Sequence, residues 1–458
     1  MFSPGRALHG GMTPALALAG GTTSQSDSET DRMPASRLKF ESLPHAIFLQ
    51  RVSGPEGATS LEARLGQGAF LALRLVDLLA PDRSQVSGDA FHYQWIATDR
   101  FCAELQAAAP EGAHVHGIAE STADAQRLGD IRLIAPALFA YAHFLEEELR
   151  LEEAIDVLTT LLVVVASRLS AKDAVAARLR FARVHRKLNR FNDAEVAYAE
   201  AGEMASAAGD RYSALLSRIG LANTILGRGN LAEAERKLRE ILADAHAADE
   251  RDAEARAAHG IGVALHLMGQ APDAIPHTWR AFQLYEEEDS RLRALGDVGV
   301  MLLTVGDAPA AERALTEVVR RSGTQETLTN ALVELMHCAS FRRDHVGFAR
   351  WRERCEQNLP EMPPNILADF YLKQGIGQAR FGRFRRADEL MLRALEVAGA
   401  AGLHEFEFRV ERIRGGLAEC ERVLAVETQP AEPVVQTDEL REVSASLAQF
   451  VGCEQPVA

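Results

Sequence analysis

Apolar residues recur at helical spacing along most of the chain, and we find no convincing run of strand-like alternation. Breaks that contain Gly, Asp, Asn or Pro interrupt the pattern roughly every 15–20 residues, which is the length of an ordinary helix. The pattern predicts helices over residues 61–80 and 91–108, separated by a turn at Pro81 and Asp82. It gives no assignment for residues 38–60. The chain is therefore predicted to be all-α.

The predicted helices form an internal repeat. Alanine occurs at positions 154, 194, 234 and 274, and the pattern returns at Ala311, Gly347 and Ala387, with steps of 36 to 40 residues throughout. The residues twelve positions before these seven are Ala142, Ala182, Ala222, Gly262, Gly299, Leu335 and Gly375. Six of them are small, and Leu335 is the exception. The pairs Gly129-Asp130 and Gly209-Asp210, two periods apart, extend the repeat back to a helix over residues 114–128.

Packing explains why small residues recur at these positions. A pair of antiparallel helices cannot bury its apolar stripe alone, so successive pairs stack on one another. Small residues at the crossing points let the helix axes approach to about 8–10 Å. A Gly or Asn before the second helix supplies the positive φ of a C-terminal cap, at Asn189, Gly229, Gly269, Gly306 and Gly382.

This layout resembles the tetratricopeptide repeat family, in which a small residue in a first helix precedes a Gly-x-aromatic turn and an alanine early in a second helix. Two strings carry the motif closely: Gly382-Arg383-Phe384-Arg385-Arg386-Ala387 and Gly229-Asn230-Leu231-Ala232-Glu233-Ala234. The family's second small position is matched by Ala201, Ala281 and Ala394. The period of 36–40 residues exceeds the family's usual 34. The resemblance implies a right-handed superhelical solenoid of antiparallel helix pairs.

These patterns divide the chain into four regions. We expect a disordered tail over residues 1–36, an irregular helical region over 37–110, the repeat array over 111–425, and a linker with a C-terminal helix over 426–458. The tail contains an apolar run, but this run is too short for the core of a secretory signal. The other interpretation of the tail is a misassigned start of the chain, in which case we favour Met33 as the first residue.

The last region begins with a linker that contains Pro430 and Pro433. An amphipathic helix is predicted to follow, from Thr437 as its N-cap to Phe450. Its apolar face comprises Leu440, Val443, Leu447 and Phe450. Such a helix either packs on the main body or docks on a partner, and we favour the main body.

Composition narrows the class of protein. Hydrophobic residues make up 47% of the 458 positions and aromatic residues only 6%, which indicates a globular chain with cores of small side chains. A net charge of −15 argues against nucleic-acid binding, which needs a surplus of bases. Five scattered cysteines fit a reducing compartment, and no apolar run is long enough for a membrane span. We therefore expect a cytoplasmic, bacterial protein with no nucleic-acid or membrane partner.

No catalytic constellation, cofactor motif or metal site is recognisable. The strings Gly260-Ile261-Gly262 and Gly375-Ile376-Gly377 lack the third glycine and the lysine of a phosphate loop, and close helix packing explains them. His259 and His266 lie seven residues apart without a carboxylate or cysteine at matching spacing. We expect a non-enzymatic chain without a cofactor.

In the tetratricopeptide family the first helices line a concave groove. Between Lys172 and Arg190 seven bases accompany one acid, and Arg183 and Lys187 share one face of this predicted first helix. The resemblance implies a groove for an acidic or C-terminal carboxylate peptide, since arginine pairs well with carboxylates. The candidate binding residues are Arg183, Arg186, Lys187, Asn223, Arg256, His259 and His266. The other reading, which we favour for the basic residues, is a solvated face that offsets acidic neighbours.

The later first helices look different, because apolar residues occupy or adjoin their groove positions. These residues are Val300, Leu303, Leu332, Met336, Leu372 and Ile376. Either this end of the groove holds a partner helix on an apolar surface, or the register slips there and these residues are core. We favour the slip.

The function predicted from the sequence is a non-enzymatic scaffold that binds a peptide or protein, with acidic ligands among the candidates, along the concave face of the array. The alternative is a peptide-sensing regulatory protein whose effector module lies in residues 61–108. That region carries only thinly spread bases and lacks a clear basic recognition helix. The partner and the oligomeric state, a homo-oligomer included, stay open.

Overall fold

The computed structural model describes residues 43–54, 57–80, 87–359, 362–417, 421 and 437–452. Within these ranges the chain is helical and contains no strand. The α-helices are α1 Ala46–Leu49, α2 Leu61–Asp77, α3 Gly88–Gln106, α4 Pro110–Leu128, α5 Ala135–Glu147, α6 Leu151–Thr160, α7 Ala171–Lys187, α8 Phe191–Ala207, α9 Arg211–Gly227, α10 Leu231–Ala247, α11 Arg251–Leu267, α12 Ala271–Leu284, α13 Glu288–Thr304, α14 Ala308–Arg321, α15 Gln325–Phe341, α16 His345–Glu356, α17 Pro364–Arg380, α18 Phe384–Ala400, α19 His404–Gly415 and α20 Asp438–Gly452. The predicted tail, Met33, the turn at Pro81 and Asp82, and the prolines of the linker lie outside the described residues.

The first helices follow the hydrophobic pattern. Helices α2 and α3 confirm the two segments predicted between residues 61 and 108, and α4 contains the one predicted over 114–128. Ser60 and Ser87 begin α2 and α3 by accepting hydrogen bonds from the backbone N–H groups of Ala63 and Ala90, each at 3.2 Å. Helix α4 packs against both α2 and α3. The unassigned segment before them contains α1 and a 3₁₀ turn.

Beyond α4 the helices pack in sequential antiparallel pairs, from α5 with α6 to α17 with α18. We call the odd-numbered member of each pair, and α19, a first helix, and the even-numbered member a second helix. The predicted alanines, from Ala154 to Ala387, all lie in second helices, and the residues twelve positions earlier all lie in first helices. The five helices from α7 to α11 have 17 residues each, which accounts for the 40-residue period.

Close helix crossings confirm the reason for the small residues. A Cβ atom on Gly262 would lie 2.0 Å from the Oγ1 of Thr278 in the paired helix α12. At Gly299 it would lie 2.8 Å from the Cγ of Leu315 in α14. In α11 and α13 the small residue of the first helix is therefore the point at which the second helix of the same pair approaches it.

The turns inside the pairs confirm the predicted caps. Asn189 and the four predicted glycines have φ values between 57° and 90°, the left-handed region in which a helix C-terminal cap lies. Two turns of the same kind use other residues, Leu149 with φ 59° and Arg343 with φ 58°. A glycine-based search could not find these two.

First helices also contact first helices. Helix α7 touches α9, α9 touches α11, and the series continues through α13 and α15 to α17. These helices thus share one continuous surface. The sequential pairing, the alanine register and this shared surface make the array a tetratricopeptide-like helical solenoid.

The C-terminal helix packs on the main body, as predicted. Helix α20 contacts the second helices α12 and α14. Leu440, Val443 and Leu447 are buried in the same core as those helices, and the Phe450 ring meets that of Phe282 at 5.2 Å. The Oγ1 of Thr437 accepts a hydrogen bond from the backbone N–H of residue 440, which confirms Thr437 as the N-cap.

Candidate functional site

The candidate site is a groove of about 620 Å³ on the surface shared by the first helices. Five consecutive first helices, α11, α13, α15, α17 and α19, supply its lining. The residues of the groove are His266, Val300, Leu303, Thr304, Asn330, Glu334, His337, Phe341, Asn365, Ile366, Asp369, Lys373, Arg380, Phe406 and Arg409. Nine of these fifteen side chains, without counting Thr304, are polar or charged, so this groove is largely polar.

A network of charged side chains crosses the groove. The Nζ of Lys373 on α17 donates hydrogen bonds to the carboxylates of Glu334 on α15 and Asp369 on its own helix. The Nη2 of Arg409 on α19 lies 3.3 Å from the Oδ1 of Asp369. The side chains of Lys373, Glu334 and Asp369 are at most 20% exposed. The network therefore joins three first helices through largely buried ion pairs.

The pKa values of this network follow from burial and from its charges. Burial raises the pKa of the Glu334 carboxyl, and nearby Lys373 offsets only part of that effect. Burial opposes the charged form of Lys373, but the carboxylates of Asp369 and Glu334 outweigh it and raise the pKa of the amine. Lys373 thus stays protonated as the central cation of the groove.

Two histidines line the groove with an unsatisfied nitrogen. The Nδ1 atoms of His266 and His337 are shielded from solvent and have no hydrogen-bond partner among the described residues. Burial lowers the pKa of His266, and burial together with Arg380, Lys373 and Arg409 lowers that of His337 well below its usual value. Both rings are therefore neutral near pH 7. Buried polar atoms are normally paired, so these two nitrogens are exceptions among the buried polar atoms of the described residues.

Arg380 is the last residue of α17, so it lies on the side of the groove where α17 runs into the turn that leads to α18. Its Nη1 donates a hydrogen bond to the Oγ of Ser340 at 2.9 Å, and its guanidinium lies 5.0 Å from the centre of the Phe341 ring. Burial, and then the neighbouring Arg343, lower the pKa of Arg380 to about 10. No carboxylate of the described residues lies within ion-pair distance of Arg380.

The opposite side of the groove carries amides. Asn330 lies in the second turn of α15 and Asn365 in the first turn of α17, and both are exposed. A side-chain amide offers a donor and an acceptor, which is the pair of groups that a peptide unit presents. Apolar surface beside them comes from Ile366 and Phe406.

The residues predicted on α7 have partners within the protein. The Nε of Arg183 lies 2.8 Å and the Nζ of Lys187 3.2 Å from the same Oε1 atom of Glu146 on α5. Lys187 also lies 3.8 Å from the carboxylate of Glu326 on α15. Arg186 is half-buried, and its Nε has no hydrogen-bond partner among the described residues.

The other predicted residues lie on α9 and α11. Asn223 is half-buried, and its Oδ1 would lie 3.4 Å from a Cβ atom on Gly260. The Nε of Arg256 donates to the Oδ2 of Asp252 at 2.6 Å. The two ring nitrogens of His259 lie 3.3 Å from the Tyr285 hydroxyl and 2.7 Å from the Oδ2 of Asp297.

Of the seven predicted binding residues, His266 alone is among the residues that line the groove. A binding role for each of the seven stays a prediction.

The register slips in α15 and α17, as favoured above. Leu332, Met336 and Leu372 are at most 1% exposed and belong to the core. Val300 and Leu303 do line the groove. The groove positions of α15 are instead Asn330, Glu334, His337 and Phe341. Their spacing of four, three and four residues is that of one helix face, and this mostly polar stripe is the signal that could have identified them.

Other chemistry is sparse in the described part of the chain. It holds no group of three or more His, Cys, Asp or Glu side chains arranged for a metal ion. Cys102, Cys338 and Cys355 are free thiols in the core, and burial raises the pKa of each to about 12. None of the described helices has the length and apolar character needed to cross a bilayer.

No family model and no curated protein matches the chain. Similar solved structures include NprR in complex with its cognate peptide NprX, at 12% identity and a TM-score of 0.44 over 74% of this chain and 86% of that one. Aspartyl phosphate phosphatase F from Bacillus subtilis aligns at 14% identity and a TM-score of 0.43, covering 75% and 95%. A tetratricopeptide repeat protein from Parabacteroides merdae aligns at 13% and 0.37, covering 60% and 98%. These similarities concern the helical fold alone.

Proposed function

We propose that the chain is a non-enzymatic binding protein that holds an extended segment of a partner peptide or protein in the groove. The observation that carries the proposal is the lining itself, which five consecutive first helices supply from one continuous surface. A ligand that contacts all five must be long. An extended segment of roughly ten residues spans about 33 Å, which suits a surface of several stacked helices.

The chemistry of the lining fits a peptide ligand. Exposed amides at Asn330 and Asn365 can pair with peptide N–H and C=O groups, whose desolvation otherwise opposes binding. Phe341 and Phe406 offer apolar surface for side chains of the ligand. His266 and His337 also line the groove, and both rings are neutral near pH 7.

The largely buried ion network holds the helices of the groove in position. Because Lys373 pairs with carboxylates on two helices, the relative positions of α15 and α17 are set before a ligand arrives. A preformed groove loses less conformational entropy on binding. This supports recognition by shape and charge with no covalent step.

The alternative function, a regulatory protein with an N-terminal effector module, gains no support from the described residues. Helices α2, α3 and α4 pack on one another around Leu73, Val76, Cys102 and Val115. This cluster is an ordinary helical core. We therefore place the binding function in the groove and assign no separate activity to α2–α4.

The test is a selection of random peptides of roughly ten residues, displayed on phage, against the whole chain. Peptides that are enriched would be synthesised, and their affinity for three proteins measured by fluorescence anisotropy: the wild type, an Asn330→Leu/Asn365→Leu variant, and an Asn192→Leu control. Asn192 is an exposed amide on the second helix α8. Leucine has nearly the same size as asparagine but no hydrogen-bonding group.

We expect enriched peptides to bind the double variant about tenfold or more weakly, because two amide pairings are lost. The Asn192→Leu control should bind like the wild type. If no peptide is enriched, or if the double variant retains full affinity, the groove is not the binding surface.

A further inference from the structure

The cations of the molecule differ in whether an acid of the same chain neutralises them. Within the groove, Lys373 and Arg409 pair with Glu334 and Asp369. On α7, Arg183 shares Glu146 with a neighbouring lysine. These bases have carboxylate partners, so they offer less to an incoming anion.

The side of the groove at which α15 and α17 end is different. Arg380 reaches only the hydroxyl of Ser340 and the ring of Phe341. Arg343 follows in the turn after α15 and is exposed. It lies close enough to Arg380 for its positive charge to lower the pKa of Arg380. Among the described residues no carboxylate lies within ion-pair distance of either guanidinium. We call Arg343 and Arg380 the basic edge of the groove.

Two neighbouring cations without an acid repel each other, and one of them is largely removed from water. Burial of an unpaired charge is costly, and its cost falls when an anion arrives. The neighbouring ring of His337 is neutral, because burial lowers its pKa well below the usual value, so it adds no third positive charge beside Arg380.

We propose that the basic edge binds Asp or Glu side chains of the peptide held in the groove. This inference rests on the proposed function and adds the charge and the orientation of the ligand. The acidic residues of the ligand lie where α15 and α17 end, and its neutral portion lies along the amides of Asn330 and Asn365. Arg380 lies inside the groove and Arg343 follows in the turn after α15, so the edge offers two guanidiniums, each of which can pair with one carboxylate.

The basic edge lies far along the chain from the bases of α7, to which the sequence analysis assigns the acidic ligand. The bases of α7 were the candidates because they are numerous, but Glu146 neutralises part of their charge. A cation that the fold leaves unpaired is a better anion site than one that already has a partner. The relevant arginines are therefore Arg343 and Arg380, which lie at the ends of α15 and α17, eight and ten helices after α7.

The same display selection tests the inference when it is run on two further proteins. One is an Arg343→Gln/Arg380→Gln variant. The other is an Arg218→Gln/Arg236→Gln control with the same loss of charge, in which both exposed arginines pair with acids away from the groove. Because the displayed peptides are fused through their C-termini and carry no phosphate, any acidic preference reflects Asp and Glu side chains. Thermal unfolding monitored by circular dichroism confirms that each variant is folded.

We expect peptides selected on the wild type and on the control to be enriched in Asp and Glu at one end. Selection on the Arg343→Gln/Arg380→Gln variant should lose that enrichment. A synthetic acidic peptide should bind this variant about tenfold more weakly, and its Gln-substituted analogue should bind wild type and variant alike.

The outcomes separate the two proposals. If peptides are enriched without an acidic excess, or if the excess survives in the variant, the basic edge is not an anion site although the groove still binds peptides. The same holds if synthetic peptides respond to the variant only when they carry a free C-terminus or a phosphate. If no peptide is enriched on any protein, the proposed function itself fails.

Discussion

The Nε of Arg183 lies 2.8 Å from the Oε1 of Glu146, a carboxylate whose side chain is only 1% exposed. Lys187 approaches the same oxygen at 3.2 Å. Helix α7 thus stabilises Glu146, a buried acid of the preceding helix pair. This pairing is a structural role for two of the bases between Lys172 and Arg190. Burial raises the pKa of Glu146, but Arg183, Lys187 and Arg180 outweigh it, and the net shift is downward.

Replacing Arg183 and Lys187 together by glutamine should destabilise the fold. We expect the free energy of unfolding near pH 7 to fall by about 2–3 kcal/mol, less than for a fully buried pair because Arg183 is partly exposed. The measurement is urea unfolding followed by circular dichroism. Lys172→Gln, an exposed base at the start of the same helix, is the control and should change little.

The pH dependence of this variant checks the cause. The pKa of Glu146 is lowered in the folded state, so its contribution is present above the unfolded pKa and is lost as the pH falls through the folded value. The difference between wild type and variant should therefore shrink in acid. An equal difference at neutral and acidic pH would show that the bases act through something other than Glu146.

Gly262→Ala should be destabilising although alanine favours helices. The added Cβ would meet the Oγ1 of Thr278 at 2.0 Å and the carbonyl oxygen of Ala274 at 3.1 Å. Overpacking of this kind costs about 1–3 kcal/mol, more than the roughly 1 kcal/mol gained from helix propensity. Because a contact of 2.0 Å belongs at the upper end of that range, we expect a net loss of about 2 kcal/mol in the free energy of unfolding.

Gly296→Ala in α13 is the matched control, because a Cβ there has no atom within 4 Å. It should stabilise the protein by about 0.5–1 kcal/mol. If both substitutions stabilise, the helix crossing at Gly262 is looser than its distances state.

The fold could be predicted because helix crossings restrict local sequence. Each pair needs a small residue where its helices approach, and this need repeats with the pair, so positions such as Gly262 and Gly299 reveal the array. The segment before α2 has no such repeat. It is held by distant partners, such as the contacts of Arg51 with Glu111 and Glu153, which a local pattern cannot show.

The groove could be predicted only in part. The resemblance assigned the groove to first helices, but a shift of one residue on a helix turns a side chain by about 100°. That shift separates Met336 in the core from His337 in the groove. Which bases are neutralised is also a three-dimensional property, since Arg183 and Arg380 look alike in the sequence and differ in their neighbours.

His45 should make stability depend on pH in the alkaline range. Its ring is 5% exposed and contacts Asp156 at 2.5 Å and Asp77 at 3.3 Å. Burial lowers the pKa of His45, but the two carboxylates outweigh it and raise the value from 6.5 to about 9. A raised folded pKa gives stability that is complete below 6.5 and is lost as the pH rises through about 9.

The variant for this test is His45→Asn, since asparagine tolerates the left-handed backbone at this position. Wild type should exceed the variant in unfolding free energy by about 3 kcal/mol more at pH 6 than at pH 10. Urea unfolding across this range measures the difference. A constant difference would mean that His45 is not charged in the folded state.

Leu447→Asp should release α20 from the main body and leave the solenoid folded. Leu447 is fully buried between α20 and the second helices, and an unpaired carboxylate in that place is unfavourable by several kcal/mol. Hydrogen exchange followed by mass spectrometry should show amides of α20 exchanging about tenfold faster or more, with α7–α11 unchanged. Gln449→Asp adds the same charge at an exposed position and should keep the protection of α20. Unchanged protection in Leu447→Asp would show that the apolar face of α20 does not hold the helix in place, and loss of protection throughout the array would show that α20 is required for the fold.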